Sequence, residues 1–94
     1  MHYIAVRWHH SIPSEPIELF SELDDTRREI RKVEVFSDGT CHSADQHRQS
    51  GPTRLGVAPV PSLEEIGSDR QFSPREIKQS DFEEAWRRAC GGAA

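Results

Sequence analysis

The first part of the chain alternates. Over His2–His10, Ile4, Val6 and Trp8 fall on one side and Tyr3, Ala5, Arg7 and His9 on the other, the period-two pattern of a half-buried strand. The stretch SIPSEP ends it, because two prolines in four residues do not fit a central strand. Apolar residues then recur through Ile17–Leu23 and Glu29–Phe36, two strands around a turn. SDGT at 37–40 carries an Asp-Gly pair, which supplies the positive φ of a tight hairpin, so Cys41–Ala44 is expected to return as a short strand. DQHRQSGPTRLG reads as a long polar loop, and Leu55–Val60 as an extended edge segment.

The last third changes period. In SLEEI, Ser62 caps a short helix and Glu65 completes a capping box, with Gly67 stopping it. FSPREIKQ reads two ways, as a helical turn opened by Ser73-Pro74 or as a short strand at Glu76–Lys78. SDFEEAWRRACGG predicts a helix at about 80–90. Ser80 is its expected cap and Glu83 the box partner; Phe82, Ala85, Trp86 and Ala89 form one apolar stripe. Arg87 and Arg88 sit at the negative end of the helix dipole and Gly91 terminates it. That stripe is expected to pack Phe82 and Trp86 onto the sheet. The fold class is therefore α+β: an antiparallel sheet of about four to five strands with a C-terminal helix on one face, residues 1–94 forming a single small domain.

The hairpin of residues 17–36 decides which side chains are free to act. A turn of odd length around Asp25–Arg27 sets Leu19 opposite Val33 and Ile17 opposite Val35, with Leu23 on the same, core side. The other face then carries Glu18, Phe20, Glu22 and Asp24 across from Glu34, Lys32, Ile30 and Arg28, with Phe36 beside them. A solvated face has no use for two aromatics and an isoleucine. Either the chain's own loops cover them, or they are the apolar centre of an interface rimmed by charge. A one-residue slip would exchange the two faces.

Charge sharpens this picture. Twelve Lys and Arg stand against sixteen Asp and Glu, a net charge of −4, and charged residues make up 30% of the chain. Between Arg7 and Arg27 lie Glu15, Glu18, Glu22, Asp24 and Asp25, with no lysine or arginine; Arg27, Arg28, Arg31 and Lys32 follow. A mildly acidic chain is a poor nucleic-acid binder, since phosphate neutralisation needs clustered bases. It suits a basic protein partner, although acids and bases pairing across the hairpin would equally serve solubility. No run of about eighteen apolar residues predicts a membrane span, and MHYIAVRWHH lacks the pattern of a signal peptide. A cytoplasmic location is expected, with Cys41 and Cys90 as free thiols.

No enzymatic motif stands up. DDTRREIRK has the acids of a restriction-type nuclease core but an arginine, Arg31, where that core has lysine. Cys41 and His42 are adjacent on a strand and so point to opposite faces, which denies the thiol its base. His9, His10, His42, His47 and Cys41 have no zinc-finger spacing. SGPTRLG is a turn and not a phosphate cradle. No catalytic residue, metal site or cofactor is expected.

The stretches YIAVRWHH, SEPIELFSELDD, IRKVEVFSDG, TRLG, PVPSLEEI and FEEAW together resemble a family of small uncharacterised bacterial domains. That resemblance implies no reaction. In kind it is similar to the immunity proteins and phage-borne inhibitors of bacterial conflict. The functional expectation is stoichiometric binding of a protein with a basic surface, first a toxin, alternatively a nucleic-acid-binding subunit of a bacterial defence complex. The expected contact residues are Glu18, Phe20, Glu22, Asp24, Asp25, Arg28, Ile30 and Lys32, with no direct contact to nucleic acid or membrane.

Overall fold

A computed structural model describes residues 1–91. Five strands, β1 (His2–Trp8), β2 (Pro16–Leu23), β3 (Glu29–Phe36), β4 (Cys41–Ala44) and β5 (Phe72–Glu76), join two helices, α1 (Leu63–Gly67) and α2 (Gln79–Ala89). The strands form one antiparallel sheet in the order β4-β3-β2-β1-β5. β1 to β4 are a meander. β5 reaches the far edge through α1, so the C-terminal part of the chain closes the sheet beside its first strand.

Both faces of the sheet are covered. On one, Ile4, Val6 and Leu23 pack under Val60, Leu63, Ile66 and Phe72, contributed by α1, β5 and the segment before α1. On the other, α2 lays Phe82, which has no exposed surface, against Tyr3, with ring centroids 5.7 Å apart. Trp86 is half-buried and stacks on Phe82 at 6.3 Å, as one apolar helical stripe requires. The expected sheet with a C-terminal helix on one face is the observed fold.

The β2–β3 turn has the expected odd length. Asp24 and Arg28 close it, with Arg27 at φ 63°. The Asp24 carboxylate accepts from the N–H groups of Thr26 and Arg28 and from the Thr26 hydroxyl, which fixes the loop. Leu23 therefore faces Glu29, as an unbroken ladder dictates. Beyond that the pairing slips by one. Glu22 faces Arg31, Phe20 faces Val33 and Glu18 faces Val35, until a second irregularity restores Pro16 opposite Phe36. Ile30 and Ile17 are the extra residues of two β-bulges.

The consequence corrects the expected faces. Leu19 pairs with Glu34 and not with Val33. Val33 and Val35 share the α2 face with Phe20, while Leu19 and Leu23 lie on the α1 face with Ile4 and Val6. Phe36 also points to the α1 face, where its ring meets His42 edge-on at 5.7 Å. The cluster of Phe20, Ile30 and Phe36 therefore does not form.

Three further elements differ from the sequence reading. The FSPREIKQ stretch contains a strand at Phe72–Glu76, and Pro74 is tolerated because β5 is an edge. Leu55–Val60 is not a strand; its backbone is bound by side chains of the hairpin instead. α2 begins at Gln79, so Ser80 lies inside it. Its N-cap is Lys78, whose backbone N–H donates to the Asp81 carboxylate at 3.2 Å. Asp81 thus does the work assigned to Glu83. For α1, Ser62 is the cap as read, accepting from the Glu65 N–H at 3.2 Å.

Removing the fully enclosed ring tests how α2 is held. Phe82→Ala is expected to cost about 3–5 kcal/mol, and Trp86→Ala less, because the indole is only half-buried. Urea denaturation of the two variants beside the wild type measures both. Equal losses, or a Phe82→Ala midpoint near wild type, would contradict this docking.

Candidate functional site

The residues expected to form one outer face are distributed over four places. Glu18, Phe20 and Glu22 lie on the α2 face. Asp24, Asp25 and Arg28 belong to the turn, and Ile30 to the bulge. Lys32 pairs with Ser21 and Ala44 on the α1 face.

Several of these are committed within the chain. Lys32 reaches the Glu29 carboxylate at 3.2 Å and the Arg54 carbonyl at 3.1 Å. Arg28 donates to the Val57 carbonyl at 2.8 Å, and Arg27 to the carbonyls of Val60 and Pro61 at 2.9 and 2.8 Å. The basic run that follows the acidic segment thereby fastens the loop of residues 54–61. Asp25 stays free, with 94% of its side chain exposed and only His2 at 3.9 Å.

Glu22 is the most constrained. Arg31 donates to its two oxygens at 2.7 and 3.0 Å, and the Tyr3 hydroxyl donates at 3.0 Å. The same guanidinium donates twice to Glu83 of α2, at 3.0 and 2.6 Å. Its plane lies 4.8 Å from the Phe82 centroid and 5.0 Å from that of Trp86. One arginine thus joins the sheet, the helix and both helix aromatics. Hydrogen bonding to Arg31 holds the Glu22 and Glu83 carboxyls below the ordinary glutamate range, against the opposing effect of burial. Hydrogen bonds to Glu22 and then Glu83 raise the guanidinium pKa in return. Burial, then the bond to Glu22, raises the Tyr3 hydroxyl.

Beside this hub α2 leaves a groove of about 550 Å³ over β2, β3 and β4. Phe20, Val35, Cys41 and Ala85 supply its apolar part; Glu18, Asp81, Glu84 and Arg88 supply its polar rim. Arg75 and Arg7 approach Glu18 at 3.0 and 3.9 Å and offset its charge. Asp81, which also caps α2, and Glu84, which Arg88 approaches at 3.5 Å, are the acids that α2 places at this rim. Phe20 is half-buried, with part of its ring in the groove. Of the expected contact residues, the structure brings Glu18 and Phe20 together here.

The sequence reading missed Arg31, Glu83, Asp81 and Glu84. A signal existed for the first pair, since Arg31 is a lone cation between strand positions that read as inward-facing. Its partner Glu83 was assigned to capping because spacing alone cannot distinguish a cap from a cross-element salt bridge.

The titratable residues elsewhere are separated. His9 bonds Ser73 at 2.7 Å. His10 accepts from the Ile12 N–H and donates through Nε2 to the Pro16 carbonyl, which turns the chain out of β1. His42 and Cys41 point to opposite faces, and Cys41 and Cys90 are both free thiols. Among the described residues, no group of three or more His, Cys, Asp and Glu could hold a metal ion. No helix there is long and apolar enough to cross a membrane.

The hub predicts acid sensitivity of a definite sign. Both carboxyls titrate lower when folded, so their contribution to stability is complete above the unfolded glutamate range near 4.5 and fades as the pH falls through the folded values. Glu22→Gln should flatten the stability–pH profile in that acid window. Arg31→Ala leaves Glu22 enclosed without its cation and is expected to cost about 3 kcal/mol at neutral pH. Urea melts across the acid range measure both; an unchanged profile in Glu22→Gln would refute the linkage.

No curated protein and no solved structure matches the chain. A family model does, that of the domain of unknown function DUF6881, over residues 2–91. The match takes in every strand and both helices, the arginine hub and the groove beside it, and the chain belongs to this family of small domains of unknown function.

Proposed function

We propose that this protein is a stoichiometric, non-enzymatic inhibitor that acts as an immunity protein, neutralising a bacterial toxin by occupying a basic surface. The observation that carries this reading is the groove along α2. Its apolar floor is flanked by the outward carboxylates of Asp81 and Glu84, on a helix that the Arg31 hub holds rigidly to the sheet. A preformed apolar cleft with acidic edges suits a partner that presents an apolar side chain among lysines and arginines. The groove lacks the pairing of nucleophile and base that chemistry would need: its one thiol, Cys41, has its neighbouring histidine on the far side of the sheet. Two free cysteines fit action in the reducing cytoplasm.

The hairpin turn has a smaller part in this reading than the groove. Lys32 is ion-paired with Glu29 and Glu22 with Arg31, so they present little free charge, and Arg28 keeps its charge but is held at the Val57 carbonyl, away from the groove. Glu84, with 59% of its side chain exposed, and Arg88, with 73%, are the groove residues best placed to steer an approaching partner.

Coexpression with bacterial toxins, beginning with the product of any toxin gene found beside its own, tests the proposal. The chain should restore growth, and the purified pair should associate in a salt-dependent manner. Glu84→Lys should slow association several-fold and Arg88→Glu should speed it, each lowering the melting temperature only slightly through loss of the exposed Glu84–Arg88 pair. Continued killing, or association rates indifferent to both reversals, would overturn it. Protection of phage from a defence system in the absence of any toxin phenotype would replace the immunity role with the inhibitor role.

A further inference from the structure

The opposite face of the sheet carries a second feature. Val57, Ala58 and Pro59 form an exposed apolar loop tip, with Val57 91% exposed. Such a tip would ordinarily be mobile, but this one is tied at several points. Arg28 holds the Val57 carbonyl, Glu29 accepts from the Gly56 N–H at 2.5 Å, and the Val60 N–H donates to the Arg27 carbonyl at 2.7 Å. Charged side chains are used to hold an apolar tip out in water, in one conformation.

Beside the tip is a hole. The chain that continues from it, Val60 and Pro61, forms one wall of an open pocket of about 330 Å³, whose other walls include Ile4, Leu19, Ile66 and Phe72. The polar groups at this pocket are already paired. Ser21 donates to Glu29 at 3.3 Å and Lys32 bridges to Glu29 at 3.2 Å. The pocket therefore asks for an apolar occupant without a polar head group.

We propose that this face is a homodimer interface, in which the Val57–Pro59 tip of each copy enters the pocket of the other. Knob and hole lie on one face of one chain, the arrangement that a two-fold, self-complementary contact requires. Charge agrees with that pairing. Basic Arg27 and Arg28 flank the tip; at the pocket Lys32 is offset by Glu29, which leaves Asp69 in the lining and Glu64 and Glu65 on α1 beside it as the net charge. A two-fold axis brings the basic side of one copy onto the acidic side of its mate. The restrained loop lowers the ordering cost of association. This surface is on the other side of the sheet from the groove along α2, so its test is independent of the toxin-binding proposal.

Sedimentation velocity over a concentration series measures the effect directly. The wild type is expected to pass from monomer to dimer as concentration rises. Val57→Asp should weaken the dimer by about tenfold or more while leaving the melting temperature of the monomer unchanged, since an exposed valine stabilises nothing within the chain. Arg28→Ala, which frees the tip without removing an apolar group, should weaken the dimer as well. A wild type that stays monomeric throughout the series overturns the proposal. So does a Val57→Asp variant that dimerises like the wild type.

Discussion

Arg31 is the residue on which the rest of the structure depends. A guanidinium placed between a sheet and a helix must have its donors satisfied and its charge balanced. Glu22 does this from the neighbouring strand and Glu83 from α2, while Phe82 and Trp86 cover the flat surface. An unbroken ladder from the β2–β3 turn would put Ile30 opposite Glu22 and leave Arg31 facing Ser21. The bulge at Ile30 moves Arg31 into line with Glu22. The irregularity in the sheet and the docking of the helix are two aspects of one requirement. Replacing such a network by apolar groups can be energetically neutral; what it contributes here is a single register and a single seat for α2.

Strands, turns and caps were legible in the sequence because each has a local cause. Asp24 and Asp-Gly at 38–39 fix their turns through their own backbone contacts, and Ser62 caps α1 within one helical turn. The faces of the hairpin were not legible. The turn was read at its correct length, yet a single extra residue at Ile30 moved Val33 and Val35 to the side of Phe20, and Lys32 and Glu34 to the side of Leu19. The reason for that residue lies in Glu83, some fifty positions away, where no local pattern can indicate it. The same holds for Leu55–Val60, whose apolar run resembles a strand. Its carbonyls are taken by Arg27 and Arg28, so no neighbouring strand is needed. Of the candidate site, Glu18 and Phe20 were legible, and the helix acids that complete the groove were not.

Charge in this chain is largely structural. The basic run of residues 27–32 holds the 54–61 loop and the helix, and Glu22, Asp24 and Glu29 serve as internal acceptors. A contrast of acidic and basic blocks along the sequence therefore overstates the charge available to a partner. Outward charge beside the two apolar depressions includes Asp81, Glu84 and Arg88 on α2 and Glu64 and Glu65 on α1. Each set borders an apolar depression, one on either face of the sheet.

The edges of the sheet lead to the same surfaces. On β5, Pro74 removes a backbone donor from the outer ladder. On β4, the returning chain pairs Gln49 with Ala44, and the Ser50 N–H donates to the Ser43 carbonyl at 2.8 Å. Strand addition, one recurring way for a sheet to recruit another chain, is thus hindered at both ends. The two proposed contacts accordingly use the faces, where side chains and not backbone groups determine fit. On the α2 face the fit is set by a helix that one arginine holds in place, and on the α1 face by a loop that two arginines and a glutamate hold out. The two proposed contacts therefore depend on residues that shape the surface from within: the Arg31 ion pairs set the seat of α2 without lining the groove, and Arg27 and Arg28 set the position of the loop tip through its carbonyls.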